Sequence, residues 1–340
     1  MKRAKENLNH DKITRALDKK LLIPEAYPLS VVLEVTNRCN LECPLCPTGG
    51  GLSKRSVGDM PIDLAISVIK ECGEFVESFS FGFLGEPLLY IHLSEAIKAA
   101  TRIGCKTKMF TNLLIIPPTG FETLLDSGVH RIVISADGIN ESQYQFYRRG
   151  GSFETLLKNT EELVAAREKV GRSDLIIEAQ MLINRSNENS VQEFETLFKG
   201  MGVDQVGYKY INLGTNPTAE SAETFLPRNN EFHFYEKQGN KTTIRECYLQ
   251  KAQQGICAKL YVGPVVIAWD GQYILCCRDM LHNYKVGKYP QISVWEFWNG
   301  SIMGEKRNEQ HRSMIPICEQ CHSLFLESSA VDPGKHPVVP

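Results

Sequence analysis

The chain's 340 residues carry 38 Lys and Arg against 40 Asp and Glu, a formal net charge of −2, with 42% hydrophobic and 23% charged residues. Such a balance excludes extended disorder, which needs low hydrophobicity and high net charge, and it leaves no overall basic field for nucleic acid. The longest apolar runs, 113–118 and 262–269, are too short to cross a bilayer. No apolar stretch follows the basic N-terminus (Lys2, Arg3, Lys5, Lys12) to make a signal peptide. The expectation is a soluble, cytoplasmic protein with no nucleic-acid or membrane partner, long enough for a barrel plus an appendage.

Residues 1–28 read as an N-terminal helical extension. From 30 to 212 strand-like and helix-like patterns alternate. Residues 30–36 are a β-branched run. A helix then starts after Pro61, with Ile62, Ile66 and Ile69 on one face. Residues 79–84 read as a second strand, and Leu93, Ile97, Ala100 and Ile103 mark a helix closed by Gly104. A third strand, 106–112, precedes a helix announced by Thr119 and Glu122 as a capping box and stopped by Gly128. The fourth strand, 130–136, leads to a helix bearing Phe153, Leu156, Leu157, Leu163 and Val164. The fifth, 175–183, leads to a helix capped by Ser190 and Glu193, and 204–211 makes a sixth. Strands separated by helices imply a parallel sheet with right-handed crossovers. Polar residues on one alternating face (Glu34; Lys108 and Asn112; Glu178 and Gln180) argue for a curved partial barrel with a polar lumen. Residues 213–256 read as a linker. Two β-runs then flank Asp270-Gly271, a strong hairpin signal, and Ser293 with Glu296 caps one more helix. The Pro-, Gly- and Ser-rich end, 326–340, reads as a loose tail.

Eleven cysteines need a reason. An odd count without a secretory signal makes a disulfide framework a poor explanation. Cys39, Cys43 and Cys46 crowd one loop after the first strand, and Cys257, Cys276, Cys318 and Cys321 are spread through the last third. Three thiolates within eight residues suit three corners of a [4Fe-4S] cube whose fourth iron stays open for chemistry. Zinc completed by a distant ligand is the competing reading. Cys277 adjoins Cys276 and competes with it as a ligand. Cys247 is a spare, and Cys72 and Cys105 read as core.

The CxxxCxxC loop at the end of a first barrel strand resembles that of the radical S-adenosylmethionine (SAM) enzymes, and the resemblance runs over about residues 29–212. It implies an α/β fold with a partial (β/α)6 TIM-type barrel. It also implies that SAM chelates the open iron and is cleaved to a 5′-deoxyadenosyl radical, which takes hydrogen from substrate. Gly85, Glu86 and Pro87 resemble the family's GGEP-type motif, with Leu84 in place of the first glycine. Asn112 ends the third strand where relatives have Thr-Asn-Gly, with Leu113 departing from the glycine. Ser135 and Asp137 resemble ribose and carboxylate contacts, and Gln180 joins them on the lumen face. Cys257, Gly271 with Cys276, and Cys318-x-x-Cys321 resemble the truncated SPASM or "twitch" pattern. That pattern implies a small cysteine-rich β-hairpin and helix domain over 257–325 with one auxiliary [4Fe-4S] cluster.

Glu178 and Lys209 are the candidate proton acceptors. The resemblance leads to a radical SAM oxidoreductase of a small polyol, sugar or aminocyclitol, with flavodoxin or ferredoxin as electron donor. The alternatives are a peptide- or protein-modifying radical SAM enzyme and, more remotely, a zinc-stabilised binding protein. Against the peptide reading, about 29 residues before the first strand are too few for a winged recognition domain.

Overall fold

The computed structural model describes residues 2–213, 218–238, 241–245, 257–311, 315–319 and 321. Six parallel strands form the wall: β1 Ser30–Leu33, β2 Ser78–Phe81, β3 Lys106–Thr111, β4 Arg131–Ser135, β5 Ile176–Ile183 and β6 Gln205–Tyr210, each paired with the next. Helix α1, Lys2–Asp18, precedes them. The crossovers carry α2 Ile62–Cys72, α3 Leu93–Arg102, α4 Gly120–Asp126, α5 Glu141–Tyr147, α6 Phe153–Lys169 and α7 Val191–Gly200. Strand alternation sets the layers. Val31, Leu33, Phe79, Phe81, Met109, Ile132, Ile134, Ile177 and Ala179 are buried in the main core. Lys108, Phe110, Ser135 and Glu178 occupy the opposite face and remain partly exposed. This is the partial barrel with a polar lumen that the alternation implied. Among the described residues no helix is long and apolar enough to cross a membrane.

Two of the expected caps are not made. Thr119 makes no side-chain cap, and α4 starts at Gly120 with its φ of +77°. Ser190 makes none either, because its hydroxyl accepts from Gln143 Nε2 at 2.9 Å. Tertiary partners outbid the local cap there. The Ser293–Glu296 capping box does form, at the start of helix Val294–Asn299. Helix α5, capped by Asn140, escaped the sequence reading because seven residues are too few to show a period.

The hairpin around Asp270-Gly271 does not stand apart. Its strands, β9 Val265–Ile267 and β10 Tyr273–Ile274, extend the barrel sheet, with β9 parallel to β1 and Val31 opposite Val265. Spatial order is therefore β10-β9-β1-β2-β3-β4-β5-β6, and among the described residues no pairing joins β6 to β10.

The segment read as a linker is a second departure. Its described part holds helix α8, Ala219–Phe225, with a full capping box from Thr218 and Ser221, and a hairpin of β7 Tyr235–Gln238 with β8 Lys241–Ile244. Ala222, Phe225, Leu226, Phe234, Tyr235 and Ile244 share a core with Leu41, Cys43 and Tyr147. It is a small cap packed onto the cysteine loop. Its apolar residues are sparse, and the surface they bury against lies 100 or more residues earlier in many cases, so composition alone reads as linker. The tail 326–340 and Cys247 lie outside the described residues.

Candidate active site

Cys39, Cys43 and Cys46 lie where the first barrel strand delivers them, on the loop leaving the C-terminal end of β1. Cys46 N donates to Cys43 O at 3.1 Å and Gly50 N to Cys46 O at 2.7 Å, so the loop folds back on itself. Three contacts fasten it below. Glu86 N donates to Arg38 O (2.8 Å), Thr48 Oγ1 to Leu84 O (2.7 Å), and Arg38 pairs with Asp59. Gly85 is required by this approach, since a Cβ there would stand 2.3 Å from Thr36 O. Beneath the loop, Arg55 holds the fully buried Glu34 through two bonds of 2.9 and 2.6 Å, and Trp269 N donates to the same carboxylate at 3.3 Å. The sequence reading missed Arg55, because nothing in a glycine- and serine-rich loop marks a buried cation.

The motif residues gather at the strand ends, with their side chains largely committed. Glu86 accepts from Leu88 N, Thr111 Oγ1 and Asn112 N at 3.0, 2.7 and 2.7 Å. Its carboxyl therefore clamps the end of β2 to the end of β3, and burial pushes its pKa up. Asn112 donates to Asn40 Oδ1 at 2.9 Å, on the cysteine loop. Leu113, in the family's glycine position, adopts a φ of +54° while fully buried. Asp137 pairs with Arg148 at 2.5 Å and accepts from Leu182 N at 2.6 Å. Arg148 also reaches Cys43 Sγ at 3.8 Å. No sequence signal announces Arg148; it ends α5, the helix that escaped notice. Beside this group the buried Tyr144 hydroxyl has no partner among the described residues, and its electrostatic neighbours are Arg148, Asp137, Cys43 and Glu86. An orphaned hydroxyl among these charges fits a polar ligand over the cysteine loop.

Gln180 Nε2 lies 3.3 Å from Glu178 Oε1, and Ser135 is its register partner on β4. The two proton-acceptor candidates separate. Glu178 sits low in the barrel, aligned with Val133 and Gln205, and is bonded to Arg131. Lys209 aligns with Leu182, four register positions higher, and crosses the lumen to place Nζ 4.8 Å from the Phe110 ring centre.

The second thiol group lines a cavity. Its walls include Cys257, Cys276, Cys318 and Cys321 with Leu260, Leu275, Arg278 and Ile315. Cys276, not Cys277, lines this cavity. Cys318 and Cys321 are set by a tight turn in which Cys321 N donates to Cys318 O at 3.2 Å. Burial pushes Cys39 up to about 11 and Cys257 and Cys276 up to about 12. Thiols so enclosed lose their protons to a strong positive centre such as cluster iron. Three thiols on one loop and four around one cavity, with no carboxylate or imidazole among them, are a donor set that fits iron–sulfur clusters.

The fold and thiol groups together are those of a SAM-dependent iron–sulfur protein. Residues 33–177 match the radical SAM superfamily, and residues 257–322 match the iron–sulfur cluster-binding SPASM domain. The chain thus carries a radical SAM domain and, toward its C-terminal end, a SPASM-type domain. Its cofactors are accordingly SAM, a SAM-binding [4Fe-4S] cluster and auxiliary iron–sulfur ligation. A tungsten-containing aldehyde ferredoxin oxidoreductase cofactor-modifying protein of Pyrococcus furiosus is 23% identical over 278 residues, 78% of this chain and 76% of its own length. A PqqA peptide cyclase of Bradyrhizobium diazoefficiens is 32% identical over 117 residues, 34% of this chain and 30% of its own length. The crystal structure of Streptococcus suis SuiB bound to precursor peptide SuiA shares the fold. Its TM-score is 0.63 at 14% identity, covering 94% of this chain and 77% of that one.

Proposed function

We propose that this radical SAM enzyme modifies a peptide or protein substrate. The observation that carries the reading is that, among the described residues, β6 and β10 are unpaired edge strands of the barrel sheet, an edge along which an extended chain would reach the polar face. Relatives named for a peptide cyclase and for a precursor-peptide complex support the same choice over the small-polyol dehydrogenase expected from the sequence.

In this reading Cys39, Cys43 and Cys46 hold the SAM-binding cluster. The backbone of Gly85, Glu86 and Pro87, with Asn112, Ser135, Asp137 and Gln180, forms the SAM seat. When bound, the reduced cluster and SAM supply a 5′-deoxyadenosyl radical that takes hydrogen from an unactivated carbon. The residues of the chain orient and enclose. Glu86 fixes the two strand ends, Arg148 presents a cation between Asp137 and Cys43, and the cap formed by α8, β7 and β8 keeps water off the loop. Cys257, Cys276, Cys318 and Cys321 ligate the auxiliary cluster, and a flavodoxin or ferredoxin delivers the electron. Glu178 is held by Arg131 four register positions below Lys209, so in this reading its role is to pair that arginine.

The test is anaerobic reconstitution of the full chain with peptides encoded beside its gene. Deoxyadenosine release together with loss of hydrogen mass from a peptide supports the reading. Turnover of a polyol with no peptide modified overturns it.

A further inference from the structure

The lumen carries more positive charge than its carboxylates neutralise. Arg131 is matched by Glu178, Arg148 by Asp137 and Arg55 by Glu34. Glu86 is satisfied by two N–H groups and a hydroxyl. Lys108 and Lys209 are left over. Their ammonium groups lie 4.7 and 4.8 Å from the centre of one ring, Phe110, and among the described residues neither has a carboxylate within ion-pair distance. A cation–π contact returns less than enclosing an ammonium costs. Enclosure and the neighbouring cations accordingly push Lys209 down to about 8 and lower Lys108. The charged groups facing Lys209 are Arg148, Asp137, Lys108 and Glu178, and both anions among them are already bonded to arginines.

We infer that Lys209, reaching across the lumen onto Phe110, the ring that Lys108 also contacts, is the seat for a carboxylate of the substrate. This rests on the peptide-modifying reading and narrows it to peptides presenting an acidic side chain or a free C-terminus to the barrel. A carboxylate fits better than a phosphate, because two isolated ammonium groups offer point charges rather than a cradle of N–H donors. SAM's own carboxylate has a cation nearer the cysteine loop, Arg148 beside Cys43. Lys209 bound to a carboxylate is a specificity residue and is not free to act as a base.

The experiment uses reconstituted full-length protein saturated with SAM, under anaerobic equilibrium dialysis. Its probes are acetyl-Ala-Glu-Ala-amide, the Gln counterpart, and acetyl-Ala-Gln-Ala with a free C-terminus. A charge-assisted contact of at least 1.4 kcal/mol predicts that one or both anionic probes bind ~10-fold or more tighter than the neutral one. Which of the two does so tells side chain from terminus. Lys209→Met should bring the ratio to near one, and Lys209→Arg should keep it. In the unmodified protein, acetic anhydride labelling of Lys209 should fall with the preferred anionic probe and not with the neutral one, which decides the matter if a variant fails to fold. Equal binding of all probes, no binding by any, an unprotected or unreactive Lys209, or a ratio preserved in Lys209→Met each overturns the inference. If a peptide is modified while the anionic preference is absent, this inference alone fails; if a polyol is turned over and no peptide is modified, the parent reading fails.

Discussion

Glu86 shows what a motif residue does once folded. Its two oxygens meet three donors, two on Oε1 and one on Oε2. In Glu86→Gln one oxygen becomes an NH2 facing a donor in either orientation, so at least one buried N–H or hydroxyl loses its acceptor. That should cost about 1–3 kcal/mol, read as a lower urea midpoint with an unchanged slope. Glu34 makes a related case with a pH signature. Burial raises its pKa despite Arg55, so the folded state holds the proton better than the unfolded chain does. Stability from this group is therefore fullest below the ordinary carboxylate range and is lost as pH rises through the folded value. Removing Arg55 raises the folded value further. Arg55→Met should destabilise by ~3–5 kcal/mol near neutrality, and the deficit should shrink on acidification as Glu34 takes up a proton. Urea unfolding of both proteins at mildly acidic and alkaline pH measures this; a deficit that grows on acidification contradicts it.

At the scale of elements, the β9–β10 hairpin joins the two thiol groups. β9 pairs with β1, which delivers the cysteine loop, and β10 leads into Cys276. Gly271 turns the hairpin with φ at +87°, and a Cβ there would stand 2.5 Å from Tyr289 O. Gly271→Ala should cost roughly 1–3 kcal/mol and displace Cys276, so that auxiliary iron is lost in preference to iron at the first site. The cap behaves as a separate element. Phe225 packs edge-on to Phe146 and Tyr147 and shares the core that includes Cys43. Phe225→Ala should loosen the cap by ~3–5 kcal/mol and hasten loss of the first cluster in air, while the auxiliary cluster keeps its lifetime. Iron release followed by absorbance distinguishes the two sites.

For the whole molecule, three cysteines on one loop and four lining a separate cavity predict two [4Fe-4S] clusters, or about eight irons per chain. The Cys39→Ala/Cys43→Ala/Cys46→Ala variant should retain about half of that iron and release no deoxyadenosine. Full iron loading in that variant would remove those ligands from the assignment. Among the described residues no pairing joins β6 to β10, while Arg278 Nη2 reaches Asn212 Oδ1 at 3.2 Å and links the auxiliary cavity wall to the chain leaving β6.

The pattern of residues by itself determined the parallel α/β barrel, because period-two and period-3.6 burial are local properties that each strand and helix expresses alone. It also set three thiolates within reach of one another, because CxxxCxxC does so whatever the rest of the chain does; the choice of iron–sulfur and SAM over zinc came from the resemblance that this motif carries. Long-range packing decided what is carried by residues distant in sequence. Arg148 meets Cys43 across 105 positions and Lys209 meets Phe110 across the lumen. The segment that composition marks as a linker folds as a cap only because the cysteine loop offers an apolar surface for Phe225 and Tyr235. Glu178 and Lys209 looked alike as lumen-facing ionisable residues. Strand register separated them by four positions, leaving one carboxylate locked to Arg131 and one ammonium with no ion pair among the described residues. Register is set by the pairing of whole strands through the core they share, which no single strand's sequence contains.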